Sequence, residues 1–170
     1  MKLGILETGQ PCEALRAQFG GYADMFAALL GPEFQYHRFD VQALELPGAV
    51  ELCDAYLVTG SPAGVYDPLP WIAPLMDFLR EAKGRTRLAG VCFGHQIMAE
   101  AFGGQVIKSP KGWGVGLHAY EVLDAGRFIG GTRQVSLIAS HQDQVVTLPP
   151  GRSEEGRGGK EGRSGWWAYL

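Results

Sequence analysis

The residue with the strongest claim to chemistry is Cys92, in the run Gly90-Val91-Cys92-Phe93-Gly94-His95-Gln96. A β-rich run stops at Cys92 and a helical pattern starts at once. Gly90 and Gly94 flank the cysteine two residues to either side. A sharp strand-to-helix turn needs small residues there, because backbone crowds backbone. Such a turn lifts the side chain above the sheet. The helix start beneath the sulfur predicts thiolate in preference to thiol. A carbonyl attacked by that sulfur develops negative charge on oxygen, and the Phe93 N–H is placed to meet it. Gln96 follows one helical turn later. Val58-Thr59-Gly60-Ser61-Pro62 ends an earlier strand and offers a second loop of backbone donors. Ser140-His141-Gln142-Asp143 follows a third strand. A lone GxCxG is more simply a core cysteine in a glycine-rich turn. Gln96 and the other two segments change that balance toward nucleophilic attack on a carbonyl.

The elements that must position these residues alternate. Lys2–Glu7 reads as a buried strand ending at Thr8-Gly9. Leu15 and Phe19, then Tyr22, Met25, Phe26, Leu29 and Leu30, recur at helical spacing, with Gly20-Gly21 interrupting and Gly31-Pro32 stopping the pattern. Phe34–Val41 alternates as a strand. Asp54–Thr59 and Thr86–Val91 are further strands. Trp71, Ile72, Leu75, Met76 and Leu79 mark a helix whose first turn holds Pro74 and whose end suits Gly84. Ile97, Met98, Ala101 and Phe102 give a short helix closed by Gly103-Gly104. Gln105–Lys108, Leu117–Leu123 and Gln134–Ala139 read as later strands. This order predicts an α/β fold, a mostly parallel central sheet with helices on both faces. Sites in such sheets form at the carboxyl ends of strands, where Thr8-Gly9, Gly60-Ser61 and Cys92 all fall.

The 170 residues suit about one domain. A net charge of −3 supplies no basic field for nucleic acid, so none is expected as a partner. No apolar run approaches the ~18 residues of a membrane span, and Glu7 interrupts the first apolar run too early for a signal peptide. Cys12, Cys53 and Cys92 are an odd, widely spaced set without a CxxC pair. They predict neither a disulfide framework nor a zinc site, and they point to a reducing compartment, the cytoplasm. No cofactor or metal is expected. Gly112-Trp113-Gly114-Val115-Gly116 precedes a strand rather than opening a helix, which excludes a dinucleotide fingerprint; Gly158-Gly159-Lys160-Glu161 lacks both the strand and the hydroxyl residue of a phosphate loop.

Taken together, Val58–Pro62, Gly90–Gln96 with Ala101-Phe102-Gly103-Gly104, Lys111–Gly116 and Ser140–Val145 resemble the class I, triad-type glutamine amidotransferase domain. The likeness runs from about residue 1 to 150 and is greatest to stand-alone members similar to the glutaminase part of GMP synthetase. It implies a flavodoxin-like fold of the class I glutaminase type. It also implies hydrolysis of the glutamine side-chain amide through a thioester on Cys92. In that reading Phe93 and Gly60 supply oxyanion N–H groups. Gln96 contacts the substrate, and Ser140, Gln142 and Asp143 bind its amino-acid end. The small-molecule substrate is glutamine or a γ-glutamyl compound, and a separate synthetase is the implied acceptor of ammonia. Gln142 stands where the GMP synthetase relatives usually carry Gly.

The resemblance fails at one point. The family draws its base and orienting group from a late His-Pro-Glu stretch. This sequence has His37, His95, His118 and His141, and no histidine beyond. His141 is the candidate substitute base, although the resemblance puts it in the substrate-side motif. His95 reads as a packing or pocket-rim residue, and His37 and His118 as solvated or satisfied ones. Residues 151–170, GRSEEGRGGKEGRSGWWAYL, hold six glycines and seven charges and are not expected to belong to the core. The abrupt change after Pro150 predicts a truncated or frame-shifted relative of a normal glutaminase, with impaired turnover and an uncovered sheet edge. Two other functions remain open: a γ-glutamyl peptide hydrolase, and a silent glutaminase-like binding or regulatory module that keeps the turn but lacks the base.

Overall fold

The structure is a computed structural model that describes residues 1–121, 134–150 and 167–169. At its centre β1 (Lys2–Glu7), β2 (Gln35–Asp40), β3 (Ala55–Val58) and β4 (Arg87–Gly90) run parallel. β9 (Trp167–Tyr169) pairs antiparallel on β4, with Gly90 opposite Trp167. It is the one stretch of the glycine- and charge-rich tail that the structure describes. Together they make a five-stranded sheet in the order β2-β1-β3-β4-β9. The register places Leu6 beside Val58 and Val58 beside Gly90, so three strands end side by side.

Alternation along the strands sorts side chains to two faces. Leu3, Ile5, Ala55 and Leu57 pack with Ala23, Phe26 and Leu30 of α2 (Tyr22–Leu30). On the other face Leu6, Tyr56, Val58 and Leu88 join α3 (Ile72–Ala82) and α4 (Phe93–Ala101) in a larger cluster. α3 buries Ile72, Leu75, Phe78, Leu79 and Ala82, one stripe of an amphipathic helix. The preceding α1 (Glu13–Phe19) buries no side chain. Helices therefore cover both faces of a mainly parallel sheet, as the sequence predicts.

The later strands stand apart from that sheet. β6 (Gly114–Glu121) and β7 (Gln134–His141) form an antiparallel ribbon. β5 (Gln105–Lys108) pairs antiparallel with β8 (Asp143–Thr147), a strand that the sequence pattern does not announce. Val122 and Leu123, at the end of the expected Leu117–Leu123 strand, lie outside the described residues. Among the described residues no helix is long and apolar enough to cross a membrane.

Candidate active site

Cys92 occupies the junction of β4 and α4 with φ 55° and ψ −111°. Positive φ is costly for a side chain with a Cβ, of order 1–3 kcal/mol, and is tolerated where the surroundings impose it. They do so here through two glycines. A Cβ on Gly90 would lie 2.5 Å from the carbonyl carbon and oxygen of Gly94. A Cβ on Gly94 would lie 2.2 Å from the Val58 carbonyl oxygen. The first turn of α4 can thus lie directly on the backbone of β3 and β4, and the chain turns so tightly that Cys92 is thrown outward. The residue is exposed and unpaired.

Beside it runs the loop that follows β3. An ideal Cβ on Gly60 would stand 3.8 Å from the Cβ of Cys92, so the two loops touch. Three buried or half-buried hydrogen bonds seat the Gly60 loop on the end of β1, and a fourth closes within the loop. The Thr8 N–H donates to Thr59 Oγ1 at 3.0 Å, and Thr8 Oγ1 donates to the Thr59 carbonyl at 3.0 Å. Thr8 Oγ1 and Thr59 Oγ1 each also lie 3.2 Å from the Gly60 carbonyl.

The third wall is the turn between β7 and β8. It is pinned at three points. The Ser109 N–H donates to the Gln142 carbonyl at 3.0 Å. Gln96 Nε2 donates to the Asp143 carbonyl at 3.0 Å. The Tyr66 hydroxyl donates to Asp143 Oδ1 at 2.8 Å. Gln96, expected at the substrate, thus spends its amide N–H holding the loop that carries Asp143. Burial and the bond to Asp143 push the Tyr66 phenol up to about 12.

A cavity of about 910 Å³ lies among these walls. Cys92, Gly60, Gln96, Ser140, His141, Gln142 and Asp143 all line it. Phe93 does not; its ring is fully buried, edge-on to Trp71 with centroids 5.5 Å apart, and only its backbone N–H faces the Cys92 sulfur. That N–H lies beside the Cys92 sulfur and favours its thiolate form. The expectation of a ready thiolate needs correction. Desolvation by the cavity walls pushes the Cys92 thiol up, the Phe93 N–H only partly offsets it, and the Asp143 carboxylate pushes it further. The balance of these influences favours the thiol form of Cys92.

His141 lies in the same cavity, at the end of β7. Burial holds its imidazole below the ordinary histidine value, opposed by the Asp143 backbone, so it is neutral at pH 7. Its Nδ1 is buried without a hydrogen-bond partner. His95 is buried inside α4, and burial and the neighbouring His141 push it down to about 3. It packs rather than titrates near neutral pH. Among the described residues no group of three or more His, Cys, Asp or Glu side chains could hold a metal ion.

Part of the cavity is not visible in the sequence. Tyr22, Met25, Phe26 and Leu29 read there as one apolar helical face; all four line the cavity, and Leu29 remains 76% exposed. Trp113, 66% exposed, and Lys108 also line it, although Lys108 reads in the sequence as ordinary solvated surface. Tyr66 carries no sequence signal. Thr8 and Thr59 are visible only as strand ends.

A model of the family described as glutamine amidotransferase class-I matches residues 27–155, and the chain belongs to that family. It is 28% identical over 165 residues to a glutamine amidotransferase-like protein of Schizosaccharomyces pombe, covering 88% of this chain and 66% of that one. It is 30% identical over 147 residues to gamma-glutamyl peptidase 4 of Arabidopsis thaliana, covering 81% and 59%. The chain spans less than two thirds of the length of either relative. The fold matches the crystal structure of a glutamine amidotransferase from Thermotoga maritima with a TM-score of 0.75 at 16% identity, over 96% of this chain and 68% of that one.

Proposed function

We propose that Cys92 is the nucleophile of a γ-glutamyl amide hydrolase that acts on glutamine. Its sulfur bonds to the side-chain carbonyl carbon of the substrate, the carbonyl oxygen becomes an oxyanion, and the N–H groups of Phe93 and Gly60 receive that charge. The C–N bond then breaks, the amine leaves with a proton, and a thioester remains until water releases glutamate and restores the thiol. Asp143, Ser140 and Gln142 take the amino-acid end, Asp143 as the anionic partner of the α-ammonium group. Gln96 keeps that loop in place. The observation that carries this reading is the cysteine at positive φ, its sulfur on the Phe93 N–H and its Cβ against Gly60, opening into the cavity that Asp143 faces.

The base is the weak member. His141 is neutral and lines the cavity, but the sulfur's electrostatic neighbours are the Phe93 amide and Asp143. Acylation is therefore expected to be slow and turnover slower still. The three unpaired cysteines suit a reducing compartment, the cytoplasm. Where ammonia is the leaving group, a separate synthetase is the class of partner that would consume it.

A second reading, a γ-glutamyl peptide hydrolase, draws support from the cavity. Its volume lies near the upper end of the roughly 300–1,000 Å³ typical of small-molecule sites, more than free glutamine fills. The Tyr22-Met25-Phe26-Leu29 stripe supplies an apolar wall for a larger amine-side group.

Both readings require a covalent acyl-enzyme. Incubation with L-glutamic acid γ-(p-nitroanilide), followed by intact-protein mass spectrometry, is expected to show a γ-glutamyl adduct that Cys92→Ala abolishes. Ammonia release from glutamine, compared with amine release from γ-glutamyl peptides, then ranks the two substrates. An unmodified wild-type protein would support a silent binding module instead.

A further inference from the structure

We propose that Thr8 and Thr59 are positioning residues that hold the Gly60 N–H in the oxyanion site. The inference rests on the reading of Cys92 above and adds a role for two buried hydroxyls that this reading does not use.

In the sheet, β3 lies between β1 and β4. Along an extended strand, the N–H and C=O of successive residues point alternately to the two neighbours. Val58 turns toward β4, where its carbonyl accepts from the Val91 N–H at 3.0 Å. Thr59 turns toward β1, where its N–H donates to the Leu6 carbonyl at 3.1 Å. Its carbonyl points the same way and accepts from Thr8 Oγ1 at 3.0 Å. That carbonyl and the Gly60 N–H share one planar trans peptide, so they point in opposite directions. Anchoring the carbonyl on the β1 side aims the Gly60 N–H at the β4 side, where Cys92 stands.

The peptide after Gly60 is fixed as well. The Thr8 N–H donates to Thr59 Oγ1, the Thr59 hydroxyl lies within hydrogen-bond distance of the Gly60 carbonyl, and the Thr8 hydroxyl reaches the Thr59 carbonyl, the Gly60 carbonyl and Thr59 Oγ1. Both carbonyls flanking Gly60 are thereby tied down. Glycine needs such ties, because its backbone rotates more freely than any other residue's. Both threonines are fully buried, and the bonds between them are closed to water. Gly9 completes the seat. A Cβ there would lie 3.1 Å from Pro62 Cδ and Ser61 Cα, so the Thr8-Gly9 backbone lies directly against the Gly60–Pro62 loop. Preorganised donors stabilise an oxyanion because they need no reorganisation when charge develops. The two hydroxyls supply that preorganisation.

The experiment separates oxyanion stabilisation from thiol reactivity in the same chain. Acylation by L-glutamic acid γ-(p-nitroanilide) builds an oxyanion; alkylation of Cys92 by iodoacetamide does not. Thr8→Val is expected to lower the maximal acylation rate by about 10- to 100-fold. The half-saturating concentration and the alkylation rate should stay near wild type, and Thr8→Ser should restore acylation. Thr59→Val, which removes the other hydroxyl, should act in the same direction and serves if Thr8→Val does not fold. Unchanged acylation in folded Thr8→Val, or an equal fall in acylation and alkylation, overturns the inference and leaves the reading of Cys92 standing. A wild-type protein that is alkylated at Cys92 but never acylated overturns that reading and this inference with it.

Discussion

At the scale of single residues, the sulfur of Cys92 sits between two opposing influences. The Phe93 N–H favours the thiolate, whereas desolvation and the Asp143 carboxylate disfavour it. Asp143 thereby has two effects of opposite sign on the proposed reaction. It attracts the ammonium group of a glutamyl substrate, and it repels the negative charge that the nucleophile must carry. A neutral probe separates them. Asp143→Asn removes the repulsion, lowers the thiol's pKa and raises the thiolate fraction at pH 7. Alkylation of Cys92 by iodoacetamide is expected to quicken by about two- to fivefold, with its pH–rate midpoint moved down from a wild-type value above the ordinary thiol range. Acylation by the γ-glutamyl anilide should instead weaken through a higher half-saturating concentration. Parallel slowing of both reactions would mean that Asp143 only supports the loop, through its bond to Tyr66.

At the scale of elements, the site depends on α4 starting while still in contact with β3. Gly94 is the residue that permits the contact, since a Cβ there would fall 2.2 Å from the Val58 carbonyl oxygen. Backbone cannot yield as a flexible side chain does. Gly94→Ala is therefore expected to destabilise the fold by about 2–4 kcal/mol, read as a lower urea midpoint, and to slow Cys92 acylation because α4 must move outward. Gly48→Ala, at a glycine with nothing within 4 Å and no positive φ, is the control and should leave stability within about 0.5 kcal/mol. An equally stable Gly94→Ala would contradict the packing described here. These glycines also show what is legible in the sequence. Gly90 and Gly94 around Cys92 announce the turn, and the alternating strand and helix patterns announce the parallel sheet, because both are local consequences of backbone geometry. The destinations of amphipathic faces are not local. Tyr22, Met25, Phe26 and Leu29 have the spacing of a core-facing helix, but α1 and the loops around the site leave that face open to the cavity. β8 escapes notice because Asp143–Thr147 has one strand neighbour, β5, and buries only Val145. The bonds of Gln96 and Tyr66 to Asp143 join residues 47 and 77 positions apart, a pairing that no short motif encodes.

At the scale of the whole molecule, the buried histidines couple folding to pH. His95 lies inside α4 with its imidazole pushed down to about 3, and His141 is shifted in the same direction. In the unfolded chain both titrate near the ordinary value of about 6.5. Between those limits the unfolded state binds more protons than the folded state, so stability increases with pH. The His95 contribution is fully present above about pH 6.5 and is lost as pH falls toward about 3. Each such group gives a slope of up to about 1.4 kcal/mol per pH unit inside its window. Glu51, paired with Arg85, is held below its ordinary value and begins to protonate only under acid conditions. Measurements from pH 7 to pH 5 therefore isolate the histidines. The urea midpoint of the wild-type protein is expected to fall steadily across that range. His95→Gln should cost stability at pH 7, because a packed ring is lost, while flattening the pH dependence and leaving the smaller slope due to His141. A slope unchanged by His95→Gln would show that His95 takes up protons equally in the folded and unfolded chains, and would contradict the burial of α4 against β3 and β4 that holds Cys92 at the rim of the cavity.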